Sequence, residues 1–235
     1  MTEIKALTFD VFGTVVDWRS GVAREAERVL APKGASLDWG RFADRWRARY
    51  QPAMEPVRTG ARPFVVLDVL HREGLLEVLA EFGVEGLSPA EIEDLNLAWH
   101  RLDPWPDVLE GMARLRRRFI LASLSNGNVR LIVDMARRAG LPWDAILGAE
   151  VARAYKPQAD AYDAAARLLS LDPGECLMVA AHPSDLDAAA SRGFRTAYVH
   201  RPQERGPGRE PERPAAGRFG YHVDDFVALA AALDG

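Results

Sequence analysis

The sequence lacks several features that would place a protein in a particular class. It has a single cysteine, Cys176, so it can form neither a disulfide within the chain nor a cysteine-rich metal site. It contains no run of 18 apolar residues, and residues 1–10 do not show the pattern of a secretory signal peptide. These absences predict a soluble cytoplasmic protein with no membrane partner.

Positive charge is not in excess either. The 235 residues include 30 basic and 34 acidic side chains, which give a formal net charge of −4 at pH 7. Nucleic-acid binding usually needs a basic surface, so we expect no nucleic-acid partner. Lysine is scarce, with three lysines against 27 arginines. Because lysine supplies a compact point charge that arginine does not, Lys156 is a candidate functional residue.

The chain does have enough apolar residues, 48% of the total, to build a substantial core. Outside residues 18–103, short apolar segments alternate with helical patterns, which is typical of a parallel sheet covered on both faces. The pattern predicts strands at 4–10, 119–124, 145–148, 176–181 and 196–200 and helices at 107–117, 128–140, 159–170, 185–192 and 224–233.

Residues 18–103 show helical spacing only. The pattern predicts helices at 20–31, 38–50, 62–72, 75–82 and 88–99. Prolines 104 and 106 then form a stiff hinge. The sequence therefore predicts an α/β fold, with a doubly wound, Rossmann-like parallel sheet core (1–17 and 104–235) and an inserted all-helical cap domain (18–103). We interpret the Arg-, Pro- and Gly-rich segment 201–218 as a solvated surface excursion, with a loop that contacts the substrate as the alternative.

Polar side chains follow four of the predicted strands. Taken singly, such residues are ordinary turn and cap residues. Ligands of open α/β sheets bind at the carboxyl ends of the strands, so the four sets are expected to meet at one site. In strand order the sets are Asp10 with Thr14, Ser125 with Asn126, Lys156, and His182 with Asp185.

These motifs resemble those of the haloacid dehalogenase (HAD) superfamily, and the resemblance covers nearly the whole chain. They are Asp-x-x-Gly-Thr at 10–14, Ser-Asn-Gly at 125–127, Lys-Pro at 156–157 and an acidic loop ending at Asp185. Phosphatases of that superfamily have a second Asp in the first motif and an acidic Mg²⁺ ligand in the fourth. This chain has Phe12 and Ala181 at those positions, and neither can donate a proton or bind a hard cation.

The chain is therefore similar to type II L-2-haloacid dehalogenases. The resemblance implies a hydrolase that converts short (S)-2-haloacids and water into (R)-2-hydroxyacids and halide, without metal or cofactor. Asp10 would be the nucleophile and form an aspartyl ester. Lys156 and Asp185 would hold and activate the water that hydrolyses this ester. The resemblance also implies a homodimer, and it leaves haloacetates and fluoroacetate open as further substrates.

The same resemblance implies binding roles for eight further residues. Arg47 and Asn126 would hold the departing halide by charge-assisted hydrogen bonds, with the flanking Arg45 and Arg49 as alternatives to Arg47. His182 replaces an asparagine of the family, and its imidazole is a candidate base. The remaining residues are Thr14 and Ser125, expected to position carboxylates, and Phe12, Phe64 and Tyr162, expected to line the pocket.

Two other functions remain open from the sequence. One is a HAD-type phosphatase that acts on a small metabolite and requires Mg²⁺. The other is a non-catalytic HAD-like protein that binds a carboxylate ligand in the cap cleft. The first has Phe12 and Ala181 against it, and the second has the set of Asp10, Lys156 and Asp185 against it.

Overall fold

The computed structural model describes residues 3–234, and a six-stranded parallel sheet lies at its centre. The strands in chain order are β1 (Ala6–Phe9), β2 (Val16–Asp17), β3 (Asp103–Pro104), β4 (Ile120–Ser125), β5 (Ala145–Gly148), β6 (Cys176–Ala180), β7 (Arg195–Val199) and β8 (Tyr221–Val223). The order in the sheet is β5-β4-β1-β6-β7-β8, and every pairing in it is parallel. The predicted α/β fold class is confirmed, and β8 is a strand that the sequence did not predict.

Helices cover the sheet and fill the segment between β2 and β3. They are α1 (Trp18–Leu30), α2 (Trp39–Arg58), α3 (Leu67–Glu81), α4 (Pro89–Asn96), α5 (Val108–Leu115), α6 (Val129–Ala139), α7 (Ala149–Ala152), α8 (Ala159–Leu168), α9 (Pro183–Ser191) and α10 (Phe226–Asp234). The first four lie between β2 and β3. Among residues 3–234, no helix is both long enough and apolar enough to cross a membrane.

The register of the central strands explains why the polar motifs meet. β1 is fully buried between β4 and β6, with Phe9 opposite both Ser123 and Val179. Both faces of β1 are covered, so all four of its side chains are buried, without the alternation of a half-exposed strand. The chain segments that follow β1, β4 and β6 therefore leave the sheet at the same edge.

A two-residue antiparallel ribbon joins the two ends of the helical segment. Val16 pairs with Pro104 and Asp17 pairs with Asp103, so the chain enters and leaves the segment side by side. The indole Nε1 of Trp105 donates to the Gly13 carbonyl at 2.9 Å and fixes the ribbon to the loop after β1.

Three of the helix predictions in this segment are wrong in their bounds. The helix predicted at 38–50 continues to Arg58 through Pro52 and Pro56, which lie on the exposed face, where water can satisfy the carbonyls they leave unpaired. The helices predicted at 62–72 and 75–82 are one helix, α3. A Cβ at Gly74 would lie 2.9 Å from the Cβ of Arg49, so this glycine allows α2 and α3 to pack closely and does not break α3.

The interpretation of residues 201–218 as a solvated excursion is wrong for their first part. Arg201 and Glu204 are each only 5% exposed. Arg201 donates to the Thr14 carbonyl at 2.9 Å and forms a bidentate pair with Asp107 at 2.7 and 2.9 Å. The beginning of this segment is thus anchored beneath the motif that carries Asp10.

Candidate active site

Asp10 lies directly after β1, 7% exposed, in the wall of a cavity of about 670 Å³. Its two carboxylate oxygens have different partners. Oδ1 accepts from the Lys156 ammonium at 2.9 Å. Oδ2 accepts from the Thr14 hydroxyl at 2.8 Å and faces Nδ1 of His182 at 2.9 Å. Oδ2 is therefore held by two donors and Oδ1 by one.

Lys156 joins the two acidic residues of the site. Its Nζ donates to Asp10 and also to Oδ2 of Asp185. Oδ1 of Asp185 accepts from the Tyr162 hydroxyl at 2.6 Å. The structure thus brings together three of the four predicted strand ends through a single ammonium group, and the turn after β4 joins them through Asn126, whose Oδ1 accepts from the Lys156 backbone N–H at 2.8 Å.

The charges of these groups follow from burial and from one another. Burial would raise the pKa of Asp10, but Lys156 and His182 outweigh it and hold that pKa well below its ordinary value. Burial would lower the pKa of Lys156, but the two carboxylates outweigh it and raise the pKa. The pKa of Asp185 is raised, chiefly by burial and further by the Asp10 charge. Asp10 therefore holds a proton more weakly than Asp185, and Asp185 is the better proton acceptor of the two.

His182 lies between two carboxylates. Nδ1 faces Asp10, and Nε2 faces Oε1 of Glu204 at 2.9 Å. Burial would lower the pKa of His182, but Glu204 and Asp10 outweigh it and raise the pKa to about 10. The raised pKa favours the imidazolium at neutral pH, in which both ring nitrogens donate, over the neutral imidazole that a base requires.

Arg47 projects from α2 into the same cavity and is surrounded by aromatic rings. Its guanidinium carbon lies 4.0 Å from the ring centroid of Tyr50, 5.3 Å from that of Trp18 and 5.6 Å from that of Phe12. Its Nη1 is buried and has no hydrogen-bond partner among residues 3–234. Desolvating a cation without an anion is costly, so this nitrogen marks a place for an anionic ligand.

The two neighbouring arginines of α2 do not compete for this role. Arg45 forms a pair with Glu81 at 2.6 Å, and Arg49 contacts the same carboxylate at 3.0 Å. Both pairs lie at the surface, as the exposed side chains of Arg45 and Glu81 show. Of the three candidates that the sequence left open, only Arg47 lines the cavity.

Three residues predicted for the site do not line this cavity. The Ser125 Oγ accepts from the Gly127 N–H at 3.0 Å and so fixes the turn after β4, and its contact with a carboxylate stays a prediction. Phe12 is 2% exposed and lies behind Arg47, where it supports the guanidinium and does not line the cavity. The Phe64 ring packs at a tilt against that of Tyr155, with 5.3 Å between the ring centroids, and Phe64 is not among the residues that line the cavity because it packs against the core.

Sequence reasoning missed Tyr50 and Glu204. Tyr50 lines the cavity one helical turn beyond Arg47, and periodicity on α2 would have found it. Glu204 lies in an irregular segment that has no periodic pattern, so no local signal points to it. Ala181, where the phosphatases have an acidic ligand, contributes its backbone N–H, which donates to the Thr14 hydroxyl at 2.9 Å. Residues 3–234 contain no cluster of three or more His, Cys, Asp or Glu side chains arranged to hold a metal ion.

The chain is similar to known proteins of one family. A family model described as haloacid dehalogenase-like hydrolase matches residues 4–193. The (S)-2-haloacid dehalogenase of Xanthobacter autotrophicus is 31% identical over 211 residues, covering 88% of this chain and 79% of the relative. A defluorinating L-2-haloacid dehalogenase of known structure is 44% identical, with a TM-score of 0.96 over 99% of this chain and 96% of that one. An L-2-haloacid dehalogenase of Xanthobacter autotrophicus, solved with chloropropionic acid covalently bound, is 25% identical, with a TM-score of 0.83 over 99% of each chain.

Proposed function

Because the chain belongs to the haloacid dehalogenase-like hydrolase family, we propose that it hydrolyses short (S)-2-haloacids to (R)-2-hydroxyacids and halide through an ester on Asp10. One observation carries the proposal: an ionised carboxylate and a buried guanidinium nitrogen with no partner among the described residues line the same cavity. A nucleophile and a site for the leaving anion are the two groups that halide displacement requires. The names of the relatives and the covalent chloropropionic acid complex support the same reaction.

The first step forms the ester. Oδ1 of Asp10, the oxygen with a single donor, attacks the α-carbon with inversion, and the carbon–halogen bond breaks as the halide leaves. Thr14 and His182 hold Oδ2 and so direct Oδ1 toward the cavity. The halide leaves as an anion and needs no proton, and Arg47 and Asn126, which both line the cavity, receive it.

The second step hydrolyses the ester. Water adds to Cγ of Asp10 and gives its proton to Asp185, whose raised pKa suits a base. The bond between Cγ and Oδ1 then breaks, and Lys156 donates a proton to Oδ1. A proton returns from Asp185 to Lys156, which are in direct contact. Asp10, which now carries the water oxygen as a carboxylic acid, releases its remaining proton to solvent and becomes the carboxylate again. The product hydroxyl therefore carries the original oxygen of Asp10, and the water oxygen stays on the enzyme.

We also propose that residues 18–103 act as the cap over a core of 1–17 and 104–235. We further propose that the protein is cytoplasmic and that it forms a homodimer. The ribbon of β2 and β3 at the two ends of the helical segment supports the cap boundary. Val69 and Leu76 lie seven residues apart on α3 and are each 40% exposed, which favours α3 as part of an interface between two copies.

Halide release tests the proposed reaction. In the presence of EDTA, we expect halide from (S)-2-chloropropionate and none from the (R) enantiomer. With Asp10 and the halide site fixed on opposite sides of the α-carbon, the two enantiomers exchange the positions of two of their other substituents, and the site accepts one arrangement. Chloroacetate and fluoroacetate are included, since one relative is a defluorinating enzyme. Loss of activity in EDTA would favour the Mg²⁺-dependent phosphatase. If no halide is released from any of these haloacids, the non-catalytic binding protein is favoured.

The pKa of His182 predicts an unusual alkaline limit. The value of kcat/KM should be level through pH 6.5 and fall as pH rises through about 10, where His182 loses its proton. Below that pH the imidazolium offsets the Glu204 charge; above it, the site becomes more negative and repels the substrate carboxylate. Asp10 stays ionised throughout because its pKa is lowered. A limit near the ordinary histidine value of about 6.5 would contradict this prediction.

A matched variant assigns the limit to this residue. His182→Asn keeps a hydrogen-bond donor beside Asp10 but cannot titrate, so its kcat/KM should lack the inflection near pH 10. His222, whose ring is exposed beside Phe219, provides the control. His222→Asn should retain the wild-type profile.

A further inference from the structure

Glu204 is an acidic residue buried beside the candidate active site. Its side chain is 6% exposed, and Oε1 lies 2.9 Å from Nε2 of His182 and accepts from the Trp18 indole at 3.1 Å. Burial would raise the pKa of Glu204, but His182 outweighs it and lowers the pKa, so Glu204 is an anion. The buried carboxylate is thus held in place by two hydrogen-bond donors, and the two-step reaction proposed above gives it no role.

The loop that carries Asp10 makes room for this carboxylate. Gly13 has φ = +89°, and a Cβ there would lie 2.2 Å from Oε1 of Glu204. On the other side, Arg201 fixes the Glu204 segment to the Thr14 carbonyl and to Asp107. The nucleophile loop and the Glu204 segment are therefore packed together directly, and the position of Glu204 is set by both.

The groups that face His182 come from three parts of the chain. Asp10 follows β1, Glu204 lies in the segment after β7, and Arg47 projects from α2. A second cavity of about 320 Å³ shares Arg47 and His182 with the first. The other charged residues that line it are Asp44, Glu204, Arg205 and Arg209. Of the acidic residues named here, Asp10 and Glu204 are the two in hydrogen-bond contact with the imidazole.

We propose, on the basis of the proposed ester mechanism, that Glu204 is a positioning residue for ester hydrolysis. It holds His182 as an imidazolium with Nδ1–H directed at Oδ2 of Asp10, where negative charge develops when water adds to Cγ. In that addition a bond forms between the water oxygen and Cγ, and the carbonyl electron pair moves to Oδ2. When the pair returns, the bond to Oδ1 breaks. His182 and Thr14 thus form the donor pair for the oxyanion.

The two steps of the reaction depend on Glu204 to different degrees. Before the ester forms, the Asp10 carboxylate and Glu204 both stabilise the charge on His182. Once Asp10 is esterified it is neutral, and Glu204 is the remaining anion in contact with the imidazolium. Removing the Glu204 charge should therefore slow hydrolysis of the ester more than its formation.

Glu204→Gln tests this inference, with Glu210→Gln as the control. Glutamine keeps an acceptor oxygen for His182 and Trp18 but removes the charge. Glu210 contacts His200 at 2.8 Å from the same segment, and its side chain is 64% exposed. With (S)-2-chloropropionate, rapid-quench measurement of the first turnover reports ester formation, and steady-state turnover reports the whole cycle. Intact-mass spectrometry detects the ester on the protein.

For Glu204→Gln we expect steady-state kcat to fall about 10-fold or more, while the first turnover changes by less than about threefold. The ester should accumulate, and the alkaline limit of kcat/KM should move to lower pH. Glu210→Gln should behave as wild type in each measurement. An unchanged kcat, or an equal loss in both steps without ester accumulation, would overturn the positioning role.

An NMR titration of His182 separates this inference from the proposed function, because it needs no turnover. In the wild type the imidazole should remain protonated until about pH 10, and in Glu204→Gln it should lose its proton at lower pH. If no haloacid is turned over but this shift is seen, the proposed reaction fails while the link between Glu204 and His182 stands. An identical titration in both proteins would overturn the inference even if dehalogenation is confirmed.

Discussion

Replacing Asp10 by asparagine is expected to lower the rate of halide release by at least ~10⁴-fold, the scale on which loss of a covalent nucleophile is felt. An amide oxygen is a poor nucleophile, and asparagine has no carboxylate with which to form the ester that water hydrolyses. The effect should be on kcat, since Arg47 and Asn126 still line the cavity and can bind the substrate. Halide release from (S)-2-chloropropionate measures it.

Asp163→Asn is the matched control for that substitution. Asp163 lies on α8 and pairs with Arg192 at the surface, with a side chain that is 42% exposed, so its loss should leave turnover unchanged. Circular dichroism and thermal unfolding establish that the Asp10 variant is folded. A folded Asp10→Asn protein that retains turnover near the wild-type rate would remove Asp10 from the role of nucleophile.

Replacing Arg47 by methionine should slow halide release on the order of 10²-fold or more, as removal of one preorganised electrostatic donor does. Methionine keeps most of the side-chain volume between Tyr50 and Trp18 but removes the unpartnered Nη1. If Arg47 stabilises the departing anion, the loss should grow from bromide to chloride to fluoride, because the poorer leaving group depends more on that stabilisation. First-turnover halide release from 2-bromo-, 2-chloro- and 2-fluoropropionate measures this trend.

Arg45→Met provides the comparison on the same helix. Arg45 contacts Glu81 at the surface, and its replacement should leave all three rates within about twofold of wild type. If Arg45→Met slows release and Arg47→Met does not, the assignment of the leaving-group site is wrong. If Arg47→Met slows all three substrates equally, the guanidinium binds the substrate carboxylate and does not hold the halide.

The parts of the site that the sequence predicted are those fixed by strand ends. Asp10, Thr14, Asn126, Lys156 and Asp185 follow apolar segments, and a parallel sheet has to bring the residues after its central strands to one edge. Their meeting point follows from topology, so the local motifs were sufficient to predict it.

The parts that the sequence could not predict depend on tertiary packing. Pro52 and Pro56 predict the end of a helix, but α2 passes through both because they share its solvent-exposed face. Gly74 predicts a break between two helices, but it lies within α3, where its lack of a side chain lets α2 approach closely. Glu204 lies in a segment whose composition predicts a surface loop, and its burial depends on the space left by Gly13 far away in the sequence.

The ribbon formed by β2 and β3 has a consequence for how such an enzyme can vary. Seen from the sheet, everything between Asp17 and Asp103 is one long connection between two neighbouring positions, so a change within it need not alter the pairing of the strands. Arg47 and Tyr50 belong to that segment, whereas the proposed nucleophile, Asp10, and Lys156 lie outside it. A substitution on α2 can therefore change the proposed halide site while the proposed nucleophile keeps its place after β1.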